Sequence, residues 1–322
     1  MNIILKNKTW LHLIICMVAL TASIDVNANS KIQEISALGL KIKNQVEATN
    51  EINFPVEIIK SDLYENAYLP INLQIRNDSV GFEQSDIKIR RQIHELISQV
   101  LSNKGYSDFV LNLELGKHLE ELIGKDTDHV FKFYGAPDSG YWGFKFEGYH
   151  LSISFLIKDF ELQFINYFLG QDFDQLSKTA IKSESIYNEG VQIGKKLMSK
   201  LSSKKLGQSY LSINTPQDIM TNPNQSFLVM DDLGLSSEAL NSKQLPLFIS
   251  WLSEYFNQFS DSVISPLLEI NEDEDHENFH IIWSGNFKAE DGELYYLIYN
   301  ENTIIEHSFK NNHLHSIIRL KF

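Results

Sequence analysis

The chain has 322 residues, 43% apolar and 22% charged, and its 28 Lys and Arg against 42 Asp and Glu give a net charge of −14. A chain this long buries a core without covalent staples, and its composition excludes wholesale disorder and any collagen-like or linker-dominated architecture. The acidic balance argues against a nucleic-acid partner, whose phosphates need a basic face, and against adsorption to an anionic membrane surface.

Residues 1–28 have the pattern of an export signal. Lys6 and Lys8 form a basic start, Trp10 to Ala22 is apolar apart from His12 and Thr21, and Val26-Asn27-Ala28 supplies small side chains at a cleavage site. The apolar run is short for a bilayer span of about 20 residues, so no stable membrane insertion is expected after cleavage. Cys16, the sole cysteine, leaves with this segment, which excludes disulfides, thiolate nucleophiles, zinc–thiolate sites and iron–sulfur clusters. The expectation is an exported protein, periplasmic or secreted, with one α+β domain over residues 29–322.

Ser30 to Asn50 has a helical period at Ile32, Ile35 and Leu38. Ser85 to Asn103 gives the clearest helix: Ser85 or Asp86 caps it, Ile89, Ile93, Leu96, Ile97 and Val100 form one stripe, and Gly105 lies just past its end. Leu111 to Ile123 repeats the pattern, and further helices are predicted at about 185–202 and 244–260. Alternating runs from Val130 to Phe168 and from Phe279 to Leu320 predict strands. Breakers such as Asp291-Gly292 and Asn311-Asn312 separate neighbouring runs, so the pairing should be antiparallel. The fold class is α+β, a largely antiparallel sheet with helices from the N-terminal third and a central helical insertion packed on it. The acidic run Asn271 to Asn278 reads as a solvated loop, because it lacks the glycine and spacing of a calcium loop.

Familiar catalytic signatures are missing. There is no G-x-S-x-G elbow and no G-x-G-x-x-G; Gly190 to Lys195 is one residue short of a phosphate loop; His94-Glu95 meets Ser98 where a metalloprotease helix needs histidine. One constellation remains. His313 and His315 are two apart in the last strand and share a face. A hairpin loop at residues 310–311, or at 309–312, pairs Glu306 with His315 and Ser308 with His313. Two imidazoles and a carboxylate would then converge as ligands for one divalent ion, zinc or ferrous iron. A three-residue loop instead brings His307 opposite His315. His150 opens a strand on the face opposite Leu151, Ile153 and Phe155, and is a fourth candidate.

At these residues the chain resembles the DUF3500 family. The stretch from Tyr141 to Phe155 (YWGFKFEGYHLSISF) looks like its hallmark, in which Trp-Gly and an acidic residue precede Gly-His-His-Leu. Leu101 to Tyr106, Phe133 to Pro137, Trp283 to Gly285, Tyr295 to Ile298, Ile305-Glu306 and Asn312 to His315 are similar to its other motifs, in order, over roughly residues 60–319. The resemblance implies an exported bacterial protein and brings no established activity. It singles out Glu147, His150, His313 and His315, with Tyr149 standing where the family has its first histidine. After Arg319 the family continues with an acidic residue and a short tail, where this chain has Leu320.

Two functions are carried forward. One is a metal-dependent enzyme, hydrolase-like, with Glu306 and His150 as catalytic groups and His150, His313, His315 and Glu306 around the ion. Trp142, Glu147, Tyr149 and Arg319 are expected to line the same pocket. The alternative is a non-catalytic small-molecule-binding or accessory protein with a degenerate site. The sequence names neither the small molecule nor the oligomeric state.

Overall fold

In a computed structural model the described residues are 30–49, 52, 54–55, 57, 63, 78–123, 128–159, 161–177, 186–221, 233–263, 279–289 and 292–320. The predicted export signal, the acidic run 271–278 and the turn residue Asp291 lie outside them.

Helix α1 covers residues 30–49; its predicted stripe of Ile32, Ile35 and Leu38 is buried, and the burial continues beyond it through Ile42 and Val46. Helix α2, Ile87–Val100, starts where Asp86 accepts a hydrogen bond from the Lys88 backbone N–H at 2.7 Å. Its five predicted aliphatic residues are all buried, at about 1.5–3 kcal/mol apiece. Helix α3, Asn103–Ile123, begins eight residues before the predicted start. Gly105 is therefore inside a helix and does not terminate one. A Cβ there would lie 1.9 Å from the Gln258 carbonyl oxygen, so glycine is required by a close backbone approach that a local reading takes for a stop signal.

The eleven strands among the described residues are β1 (Val80–Gly81), β2 (Val130–Ala136), β3 (Tyr141–Gly148), β4 (Leu151–Lys158), β5 (Glu161–Asp172), β6 (Tyr210–Ser212), β7 (Leu235–Ser236), β8 (His280–Gly285), β9 (Leu294–Tyr299), β10 (Thr303–Lys310) and β11 (His313–Leu320). They form one sheet in the order β1-β2-β3-β4-β5-β11-β10-β9-β8-β6, with β7 also on β8, and among the described residues only the β6–β8 pair is parallel. Helices α4 (Phe173–Leu176), α5 (Asn188–Ser199), α6 (Ser203–Ser209) and α7 (Leu245–Phe256) complete the described elements, with a 3₁₀ turn at Ser237–Ala239. The fold is α+β, as the order of patterns predicted. Among the described residues no helix is long and apolar enough to cross a membrane.

The two faces of the sheet differ. One carries Phe131, Phe133, Phe144, Phe155, Tyr167, Ile318, Ile305, Ile298 and Ile281, in one continuous core with the buried stripes of α1, α2 and α7. The other carries Lys132, Lys145, Glu147, Ser152, Ser154, Asn166, Arg319 and Glu306, all buried, interrupted by small apolar clusters. Cross-strand pairing connects them: Lys145 lies opposite Ser154, Ser154 opposite Asn166, and Asn166 opposite Arg319. A buried polar row of this kind needs partners on the covering segment.

His307 is a buried imidazole on the apolar face. It is 1% exposed, stacks on Tyr296 with ring centroids 4.9 Å apart, and neither ring nitrogen has a hydrogen-bond partner among the described residues. Burial pushes its pKa down to about 3, so it stays neutral while an unfolded chain would take up a proton near pH 6.5. The folded state therefore loses ground as pH falls through that window, and is unaffected by this group above it. Replacing His307 with Phe should remove about 1.4 kcal/mol of acid destabilisation per pH unit below roughly 6.5, seen as a flatter acid limb in urea unfolding between pH 6.5 and 4. Parallel acid limbs would contradict the assignment.

Candidate metal centre

The hairpin β10–β11 turns through Asn311 and Asn312, both with left-handed backbone (φ 52° and 56°). Two consecutive positive φ values suit a type I′ turn, and asparagine tolerates them better than most residues. The loop is thus 311–312, and Lys310 pairs with His313, Ser308 with His315 and Glu306 with Ile317. The predicted parity holds while the predicted partners move by one pair. His313 and His315 share a face with Glu306, but Glu306 sits farther from the tip than the expected register required. His307 occupies the opposite face, so the three-residue-loop alternative is not realised.

His150 arrives from the other side of β5. It does not open a strand, as parity suggested, but occupies the second position of the β3–β4 turn, with φ 55°. Between β4 and β11 stands Gly170 of β5, directly opposite His315. A Cβ at Gly170 would come within 2.8 Å of Cδ2 of both His150 and His315. The missing side chain is what lets two imidazoles lie over the strand. His313 Nε2 is then 2.9 Å from His150 Nε2 and 2.9 Å from His315 Nε2, and one nitrogen from each of the three rings lies within 4.8 Å of the others.

Proton bookkeeping makes this cluster unusual. Asp218 Oδ1 is 2.7 Å from His315 Nδ1, and a carboxylate only accepts, so Nδ1 carries the proton and, in the neutral ring, Nε2 is left as a lone pair. A proton on His313 Nε2 then points at one neighbour and blocks acceptance from the other; without it, two lone pairs face each other. No protonation state of three neutral rings satisfies both contacts. Three lone pairs around a cation do, and ligand nitrogens bound at about 2.0–2.1 Å sit roughly 2.9–3.4 Å apart at right-angled to tetrahedral geometry. Burial depresses the His150 pKa strongly, aided by the charges of His315 and His313. Burial and His315 also lower His313, against the pull of Asp172 and Asp218, so both rings keep lone pairs at neutral pH. Asp172 Oδ2 lies 4.0 Å from His313 Nδ1.

Glu306 is not part of the triad. Its Oε1 accepts from the Met220 N–H and from Tyr295 Oη at 2.8 Å, and its Oε2 accepts from the Thr221 N–H at 3.0 Å and from the Thr221 hydroxyl. Desolvation raises its pKa, and those donors pull it back. Arg319 donates to the Thr221 carbonyl and hydroxyl, and Lys310 Nζ to the Thr215 carbonyl at 2.9 Å. Residues 215–221 therefore form a strap across β10 and β11, fastened by side chains of the polar face. Asp218 lies in the middle of that strap. Glu306 and Arg319, read from the sequence as ligand and pocket wall, hold the segment that orients His315.

The other candidates separate. Tyr149 packs against His150, with ring centroids 4.1 Å apart and planes tilted by 43°, and burial together with Asp172 pushes its phenol up to about 12. Glu147 pairs with Lys145 at 2.6 Å on the polar face. Trp142 is fully buried on the apolar face, donating to Ser36 at 3.0 Å, because strand parity turns it away from the histidines. Asp172, Asp218 and Gly170 went unread. A glycine inside an apolar strand signals close approach and offered a clue at Gly170; an aspartate in a loop 97 residues from its histidine offered none.

The family model described as protein of unknown function (DUF3500) matches residues 30–321, and the chain belongs to that family. No curated protein and no solved structure matches it.

Glu306→Ala should cost about 3–5 kcal/mol in urea unfolding, because two backbone N–H groups and the Tyr295 hydroxyl lose their buried acceptor. A loss below about 1 kcal/mol would mean that the carboxylate does not hold the strap.

Proposed function

We propose that the chain binds one divalent transition-metal ion, zinc or ferrous iron, through Nε2 of His150, His313 and His315, and that it acts as a metal-dependent hydrolase. The observation that carries this reading is the convergence of three ring nitrogens whose two 2.9 Å contacts neutral rings cannot both satisfy with directed N–H···N bonds. Three imidazoles leave a coordination position for water and substrate, where the ion polarises a carbonyl or lowers the pKa of bound water to about 7. Neutral ligands keep the full double charge on the ion, which favours that ionisation.

The protein supplies orientation. Asp218 holds His315 in the tautomer that presents Nε2 and strengthens it as a donor, a role that carboxylates commonly take toward ligating histidines. The His313 side chain is 35% exposed while His150 and His315 are buried, so substrate would approach from the His313 side. Tyr149 beside His150 offers a phenolic hydrogen-bond donor there. Export is part of the same reading: Lys6, Lys8, the apolar run and Val26-Asn27-Ala28 support a cleaved signal.

Protein purified without an affinity tag should contain about one zinc or iron per chain by elemental analysis, and His313→Ala with His315→Ala should abolish it. Metal-free protein carrying a bound small molecule would favour the alternative, a non-catalytic binding or accessory role. Asp218→Ala should weaken metal affinity about 10–100-fold in a competition titration against a chelator, with the fold retained. Unchanged affinity would remove Asp218 from the site. N-terminal sequencing of protein recovered outside the cytoplasm should begin near Asn29; an intact Met1 there would refute export.

A further inference from the structure

On the face of β11 opposite the histidines lies a cavity of about 380 Å³ between the strand ends and helix α5. Leu314 of β11, Phe309 of β10 and Val191 of α5 give it apolar walls, and the exposed Gln192 stands at its rim beside the half-buried Lys195, whose ammonium donates to the Ala289 carbonyl at 2.8 Å. His307 contributes to its inner wall, 1% exposed and without a hydrogen-bond partner among the described residues. Buried polar groups in folded proteins are nearly always paired, so an imidazole with both nitrogens unmatched beside a cavity marks a place where something else completes the pairing. The terminal torsion of a histidine is soft and roughly two-fold, so a flip within the stack on Tyr296 exchanges each ring nitrogen with a ring carbon at little cost.

We propose that this cavity is a binding site for a small uncharged molecule with an apolar or aromatic body and one hydroxyl or amide head that hydrogen-bonds His307. The volume falls at the lower end of the range for small-molecule sites, and the mixture of apolar walls with one polar group is typical of them. An imidazole that stays neutral offers one donor and one acceptor, which matches a hydroxyl or amide and gives no counter-charge to a carboxylate. The site does not depend on the metal reading, since Leu314 and His307 point away from His313 and His315.

Benzyl alcohol, toluene and benzoate titrated into the full-length protein by ligand-observed NMR test the proposal. The alcohol should bind saturably and about five- to tenfold more tightly than toluene, the value of one neutral hydrogen bond, and benzoate more weakly than the alcohol. His307→Phe should erase the preference for the alcohol while toluene still binds. Gln192→Trp, at the exposed rim, should weaken all binding by narrowing the entrance, and keeps the test alive if the core variant fails to fold. His313→Ala with His315→Ala should leave alcohol binding unchanged. Absence of saturable binding by the alcohol would overturn the proposal. So would a preference for benzoate, an alcohol preference that survives His307→Phe, or loss of alcohol binding in the double histidine variant.

Discussion

A strand presents alternate residues to opposite sides, and in β11 that alternation sorts two incompatible environments. His313, His315 and Arg319 face the polar side, while Leu314, Ser316 and Ile318 face the helices. A slip of one residue would drive two imidazoles and a guanidinium into the aromatic core and turn aliphatic side chains toward buried charges. The register is therefore held by every pair along the hairpin, and the Asn311–Asn312 turn is the place where it is set. Everything at the candidate centre inherits its position from that turn: the spacing of the two histidines, the place of Glu306 under the strap, and the alignment of His315 over Gly170.

The polar side is organised differently from the apolar side. Apolar packing tolerates substitution by residues of similar size, because it is non-directional. The strap over residues 215–221 is held instead by directed bonds to a carboxylate and a guanidinium, each buried and each costly to leave unpaired. Such a fastening on either side of Asp218 restricts where its carboxylate can sit, and the tautomer of His315 depends on it. Placing the orienting carboxylate on a separately anchored segment lets the histidine be aimed without altering the strand that carries it.

Periodicity read helices and strands well where one face packs on a core. The α2 stripe from Ile89 to Val100 is visible because a 3.6-residue repeat has no other simple explanation. The start of α3 escaped, because Gly105 answers to the Gln258 carbonyl far along the chain and not to its neighbours in sequence. At the hairpin, parity was readable and exact pairing was not, since parity follows from strand alternation and pairing from loop length. The same division runs through the candidate centre. His313 and His315 share a face by alternation, and family motifs marked His150. The convergence of the three depends on the sheet order β4-β5-β11, and Asp218 reaches His315 through a loop, neither of which leaves a local pattern.

His150 and His313 are 163 residues apart, joined through the β5–β11 pairing that unites the two halves of the sheet. An ion held by both would act as a reversible cross-link closing a loop of that length, and the chain-entropy penalty it removes from the unfolded state grows with the logarithm of the loop. The only cysteine is Cys16, so the remainder of the chain cannot form a disulfide of its own. Metal loading would then set the lifetime of the protein as well as its chemistry, with proteolytic resistance rising and falling with the free concentration of the ion.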